Sequence, residues 1–326
     1  MTEARTWAAH AALGPGAEFD AVRRLLVGWG DLARGVGDDA AVLDVPVGER
    51  LVVSTDASVE DVHFRRAWLT PAEIGWRATT SALSDLAAMA ARPRAVVVAI
   101  TLPPSWRPAL DELGAGIGAA VREAEAVIVG GDLTGGAALA LAVTVLGTAV
   151  APVGRGGARP GDGLYVTGRL GGPLRALRAF ERGEQPDAAD RARFARPQAR
   201  VASARWLAEH GARALVDVSD GLAADLAHLA AASGVRCVID LARVPCVAGA
   251  TPADALASGE EYELACAAPA DLDVEACRRA TGVELTRVGR VEAPSRGRGP
   301  GVAVHPTPDA PGALVDLPSG HDHLSR

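Results

Sequence analysis

Short continuous apolar runs alternate along most of the chain with segments whose apolar positions recur at helical spacing. Glu18 to Leu26 predicts a short helix, and GVGDDAAVLDV, starting at Gly35, leads into a strand. Leu51-Val-Val-Ser-Thr-Asp56 predicts a second strand; its poor alternation predicts burial on both faces. Pro71 opens a long helix that reaches Ala91, in the first turn where a missing N–H costs no hydrogen bond. Arg94–Leu102 predicts a strand stopped by Pro103-Pro104, and Ala109–Glu125 the next helix. A strand over Ala126–Val129 ends in Gly130-Gly131-Asp132, and Ala138–Leu146 predicts another.

APVGRGGARP, Ala151–Pro160, is rich in Gly, Pro and Arg and reads as a connection between two domains, 1–150 and 151–326. Beyond it, Gly163–Gly168 predicts a strand, and Gly171-Gly172-Pro173 turns into a helix over Leu174–Arg182. The polar stretch Glu184–Asp190 reads as a loop, Gln198–His210 as a helix and Ala214–Val218 as a strand. Leu222–Ala232 predicts a helix with a Leu222, Leu226, Leu229 stripe and Gly234 at its end, followed by a strand over Val235–Leu241. Each half mixes strands with helices. The antiparallel-looking pair Arg94–Leu102 and Ala138–Leu146 makes the predicted class α+β.

Acids recur where these strands stop. Leu51–Val53 runs into Ser54-Thr55-Asp56, Ala126–Val129 into Gly130-Gly131-Asp132, and Leu215-Val216 into Asp217-Val218-Ser219-Asp220-Gly221. A carboxylate at a strand end projects into a cleft on a fixed backbone, and strand ends are where open sheets place ligands. A single Asp-Gly is an ordinary turn; four acidic corners, counting GVGDD, are harder to explain that way. Asp85 sits inside the predicted helix SALSDLAAMAA among small apolar residues, where a buried carboxylate needs donors or a cation.

Composition narrows the chemistry. All 33 basic residues are arginine; the chain has no lysine. That excludes a Walker A loop, a kinase strand lysine and Schiff-base chemistry. A protein that handles phosphates without lysine must use arginine, backbone N–H groups or metal ions held by acids. Hard Mg²⁺ takes carboxylate, water and phosphate oxygens, so the acids point to a metal-dependent nucleotide or phosphate enzyme. With 40 acidic residues the net charge is −7, and no basic block predicts a nucleic-acid surface. Cys237, Cys246, Cys266 and Cys277 form no CxxC pair and read as buried small hydrophobes in a reducing compartment. No apolar run is long enough to span a bilayer and MTEARTWAAH resembles no signal segment, so the expected location is cytoplasmic, with no membrane partner.

GVGDDAAVL, VSTDASVEDVHF, SDLAAMAARP, VGGDLT, PGDGLYVTG, DVSDGLAADL and SGEEYEL, in this order from about Glu18 to Leu264, resemble the thiamine-monophosphate kinase family, of the superfamily that includes aminoimidazole ribonucleotide synthetase. The resemblance implies a homodimer of two-domain α+β subunits. Residues 1–150 would form an ATP- and Mg-binding, dimerising domain whose N-terminal strands pair across the dimer, and 151–326 an α+β domain that completes the site. It implies in-line transfer of the ATP γ-phosphoryl group to thiamine monophosphate, with several Mg²⁺ ions and ATP as co-substrate. Metal ligands would be Asp39, Ser54, Thr55, Asp56, Asp85, Asp132, Asp217 and Asp220, with Asp56, Asp85, Asp132 and Asp220 carrying catalysis. Gly131, Asp132, Arg155 and Ser219 would hold ATP; His63, Glu260 and His321 would contact the substrate. Of the paired acids, Asp39 matches the ligand, and Asp38 is expected either to accept backbone hydrogen bonds in the Gly-rich turn or to support the ligands from behind.

The chain departs from the family pattern twice. Arg122-Glu123-Ala124-Glu125 stands where the family carries an aromatic before the GGD strand, and Gly320-His321-Asp322-His323-Leu324 stands for a C-terminal Gly-aromatic-x-His-Phe. Two alternatives stay open: another ATP-dependent superfamily enzyme such as the aminoimidazole ribonucleotide cyclo-ligase, and a non-catalytic nucleotide-binding regulator. A hydrogenase-maturation dehydratase would want a C-terminal cysteine and a selenophosphate synthetase a catalytic Cys and Lys; neither pattern is present.

Overall fold

The computed structural model describes residues 10, 12–294, 299–305 and 315–316. The chain divides into two compact units: one holds residues 1–86 and 92–150, the other 87–91 and 151–326.

The first unit is built on α1 (Ala17–Trp29), β1 (Arg50–Val59), α2 (Pro71–Ala88), β2 (Arg92–Thr101), α3 (Leu110–Glu123), β3 (Val127–Thr134) and β4 (Ala140–Ala149). Its four-stranded sheet runs β1-β4-β2-β3. The expected antiparallel pair is there, with β2 facing β4 in register Ala95↔Leu146 to Thr101↔Ala140. β3 lies parallel to β2, the two joined through α3.

Close backbone approach sets the helix layer. A Cβ at Gly116 of α3 would fall 1.9 Å from the Ala72 carbonyl, and one at Gly75 of α2 would fall 2.2 Å from that of Leu113. Only glycines let these two helices cross so tightly. α1 docks on α3 the same way: Gly114 leaves room for Leu25, and the Trp29 indole donates to the Gly114 carbonyl at 2.7 Å.

Three expectations are corrected in this unit. Residues 41–49 form no strand, and Val42 and Val47 there stay exposed. β1 is not buried on both faces: as the edge strand it is half-buried at Val52, Ser54 and Asp56 and exposed at Leu51, Val53, Thr55 and Ala57. Asp56 and Asp132 lie inside their strands rather than at the ends. Pairing carries β1 on to Val59↔Ala140 and β3 on to Thr101↔Thr134.

The second unit contains β5 (Gly163–Thr167), α4 (Gly172–Glu181), α5 (Ala188–Ala195), α6 (Val201–Glu209), β6 (Ala214–Asp217), α7 (Leu222–Ser233), β7 (Arg236–Asp240), α8 (Pro252–Ala257), β8 (Leu264–Ala268), α9 (Val274–Thr281), β9 (Leu285–Glu292), β10 (Gly301–His305) and β11 (Val315–Asp316). The seven strands form one mixed sheet in the order β11-β10-β7-β9-β5-β8-β6. Leu164, Val216, Leu222, Leu226, Leu229 and Ile239 belong to one packed core, so the expected α7 stripe faces it. Glu184–Asp190 is not all loop. α5 begins at Ala188, with the Asp187 side chain accepting the Ala189 amide as its cap.

Candidate functional site

In the first unit, β1 and α2 bring two of the expected metal ligands into contact. Ser54 and Asp56 share the half-buried face of β1, two residues apart as strand geometry requires. The Ser54 hydroxyl donates to Asp85 Oδ2 of α2 at 2.5 Å. Asp85 is half-buried, and this donor answers part of the demand that a carboxylate on an apolar helix creates. Thr55 faces the opposite side, where its hydroxyl lies 3.0 Å from that of Thr144 on β4. Asp56 Oδ1 accepts the Ala57 amide at 2.9 Å.

The GDD and GGD motifs meet at one cleft of about 410 Å³. Asp38, Asp39, Gly130, Gly131 and Asp132 line it together with Phe19 and Trp29 of α1. Asp38 Oδ1 accepts the Asp39 amide at 3.0 Å, the turn bond expected of it. Gly131 pairs with Val98, and a Cβ there would fall 2.0 Å from the Val98 carbonyl. Sheet packing therefore demands this glycine whatever else it touches. His63 is half-buried, its Nδ1 accepting the Val59 amide at 3.2 Å. Beside it Glu60 takes the Trp106 indole N–H at 2.9 and 3.0 Å and the Leu139 amide at 3.1 Å, tying the VEDVHF loop to β4's approach.

The second unit holds the other motifs on two loops that are bonded to each other. Asp217 ends β6 and is buried, while Ser219 and Asp220 follow it in the loop that leads to α7. The Glu260 amide donates to the Ser219 carbonyl at 2.7 Å; those of Glu261 and Tyr262 donate to the Val218 carbonyl at 3.1 and 2.9 Å. Glu260 and Tyr262 both adopt the left-handed region, at φ 56 and 53°. Arg155 is exposed, with its carbonyl accepting the Ser233 hydroxyl at 2.9 Å. His321 lies outside the described residues.

Asp225 is a residue the sequence reading passed over. Its buried Oδ2 accepts the amides of Ser219, Asp220 and Gly221, each at 3.1 Å, and so shapes the DVSDG loop. Burial first, then the neighbouring Asp217 charge, push its carboxyl up to about 7 against those amide bonds. The signal was available: Asp225 is a lone acid on an apolar helix, as Asp85 is.

These donors suit Mg²⁺ by type, since all are hard carboxylate or hydroxyl oxygens. Among the described residues no three His, Cys, Asp or Glu side chains gather closely enough to hold a metal by themselves. Mg²⁺ commonly takes only one or two carboxylates and completes its shell with water and substrate phosphates. The half-buried Ser54–Asp85 pair, with Asp56 on the same strand face, fits that shared mode.

Family models of the AIR synthase related proteins match the chain twice, the N-terminal domain over residues 37–149 and the C-terminal domain over 159–300. A thiamine-monophosphate kinase of Mycobacterium tuberculosis is 38% identical over 250 residues, 75% of this chain and 75% of that protein. The crystal structure of thiamine-monophosphate kinase from Stenotrophomonas maltophilia K279a superposes with a TM-score of 0.78 at 34% identity, covering 92% of this chain and 99% of that one. That of AaThiL complexed with AMPPCP and TMP gives 0.72 at 27% identity, covering 94% and 95%.

Proposed function

The chain belongs to the thiamine-monophosphate kinases of the AIR synthase related family, and from this we propose that it transfers the γ-phosphoryl group of ATP to thiamine monophosphate, giving thiamine diphosphate and ADP. The observation that carries the reading is the near full-length likeness to a structure holding an ATP analogue together with TMP. The acceptor phosphate is already an anionic nucleophile, so the chain needs no general base. Its task is to align two anions and offset their repulsion.

Without lysine, that offset falls to arginine, backbone N–H groups and metal-holding acids. In the first unit Asp39, Ser54, Asp56, Asp85 and Asp132 would hold Mg²⁺, with Thr55 contributing through its main chain because its hydroxyl faces Thr144. In the second unit Asp217 and Asp220 would do so from the loop that Asp225 shapes. Bound magnesium supplies positive charge that lets the two phosphates approach. Gly131, Asp132, Arg155 and Ser219 are assigned to ATP; His63 and Glu260 are assigned to thiamine monophosphate. Residues 1–150 form the ATP- and metal-binding domain and 151–326 the domain of the DVSDG and SGEEYEL loops.

The working form we propose is a homodimer. Leu51 and Val53 on the outer face of edge strand β1 are 48% and 54% exposed, and an apolar strand edge left open invites another strand. The location we propose is the cytoplasm, a reading supported by ATP use and by four free cysteines. The test is direct: purified protein with ATP, Mg²⁺ and thiamine monophosphate is expected to give thiamine diphosphate and ADP in equal amounts. ATP turnover on a purine precursor, with none on thiamine monophosphate, contradicts the assignment.

A further inference from the structure

Behind the SGEEYEL turn four charged side chains, two arginines and two glutamates, form a network in the second unit. The side chains of Glu261 and Glu263 are 0% and 1% exposed. Arg200 grips Glu263 with two bonds, Nε to Oε2 at 2.8 Å and Nη2 to Oε1 at 2.6 Å. Arg193 of α5 spans both acids: its Nη2 lies 3.2 Å from Glu261 Oε2, 3.4 Å from Glu263 Oε1 and 2.5 Å from the Arg169 carbonyl. The Gly171 amide donates to Glu261 Oε1 at 2.5 Å and the Thr167 hydroxyl to Glu263 Oε2 at 2.7 Å. Burial raises the Glu261 carboxyl, while Ser258, the Gly171 amide and Arg193 pull it back.

Such a network is poor evidence for stability, because packed apolar residues of the same volume serve as well. What it does hold is conformation. Glu260 and Tyr262 are left-handed non-glycine residues, and such strain persists only where the surroundings over-determine it. The strained residues alternate with the anchored ones: 260 and 262 are left-handed, 261 and 263 are tied down from within. We propose that Arg193 is a positioning residue which, through Glu261 and Glu263, holds Glu260 in its left-handed conformation for contact with thiamine monophosphate. This rests on the functional reading above.

The test is a double-mutant cycle on the full-length protein, read as kcat/KM for thiamine monophosphate at saturating ATP. Arg193→Ala is expected to lower kcat/KM about tenfold, through KM, with kcat unchanged to within about twofold. In a Glu260→Ala background the same change is expected to cost less than about twofold, because the group it positions is gone. Equal losses in both backgrounds, or an unchanged KM in Arg193→Ala, overturn the proposal. If Arg193→Ala fails to fold, Glu261→Gln, which keeps size and the Gly171 bond but not the charge, goes through the same cycle with the same two outcomes. A wild-type chain that does not phosphorylate thiamine monophosphate removes the functional reading itself. Wild-type turnover with additive losses removes only the role of Arg193.

Discussion

Ser54 and Asp85 lie 31 residues apart in sequence, yet one hydrogen bond of 2.5 Å joins them in the candidate metal site. Asp56→Asn and Asp132→Asn keep the shape of each side chain and remove a charge. Each is expected to lower kcat by about 10²–10³-fold, the scale of losing one preorganised electrostatic group, with an unchanged melting temperature. Near wild-type rates in saturating Mg²⁺ would show that these acids carry no metal. Asp254 gives a separate residue-scale prediction. The Thr251 hydroxyl and amide, then Arg178, hold its carboxyl down at about 2 from an ordinary 3.8. Its folded value is depressed, so its stabilisation is present above the ordinary value and lost as pH falls through the folded one. Denaturant titrations should therefore show Asp254→Asn destabilised near neutral pH, with the gap to wild type closing between pH 4 and 2. A gap independent of pH would contradict the ionised capping box.

At the scale of elements, the glycines of α3 decide how the helix layer packs. Gly116→Ala would drive a Cβ to 1.9 Å from the Ala72 carbonyl. Overpacking of this kind costs about 1–3 kcal/mol, so a clear drop in the denaturation midpoint is expected, against little change for Gly28→Ala, where nothing lies within 4 Å. The long helix from Pro71 and the antiparallel β2–β4 pair were legible because period and proline placement agree with packing. α5 was not, because Phe194 is its one large apolar side chain and no stripe marks it; the capping Asp187 was the readable sign. Strand ends were misjudged at Asp56 and Asp132 for a related reason. Where a strand stops depends on its partner's length, which one segment cannot reveal.

For the whole molecule, β1 shows both the reach and the limit of a single sequence. Its apolar residues on alternate faces predict double burial, yet in the chain alone Leu51 and Val53 stay exposed. In the proposed dimer a second copy would cover that face and reconcile the two. Light scattering of the native protein is expected to give twice the 33.3 kDa chain mass, and Val53→Arg is expected to give the single-chain mass; a monomeric wild type would contradict the dimer. The acids stand out in the sequence because carboxylates among glycines and small apolar residues are chemically conspicuous, but their places within β1 and β3 do not. Arg193 and Arg200 could not be read from sequence, because what distinguishes them is which distant acids they touch.

The central claim is direct phosphoryl transfer to a phosphate. ATP labelled at its γ-phosphate, incubated with the protein, Mg²⁺ and thiamine monophosphate, tests it in one measurement. The label is expected in the terminal phosphate of thiamine diphosphate, mole for mole with ADP. Label released as inorganic phosphate, with no labelled thiamine diphosphate, would contradict it.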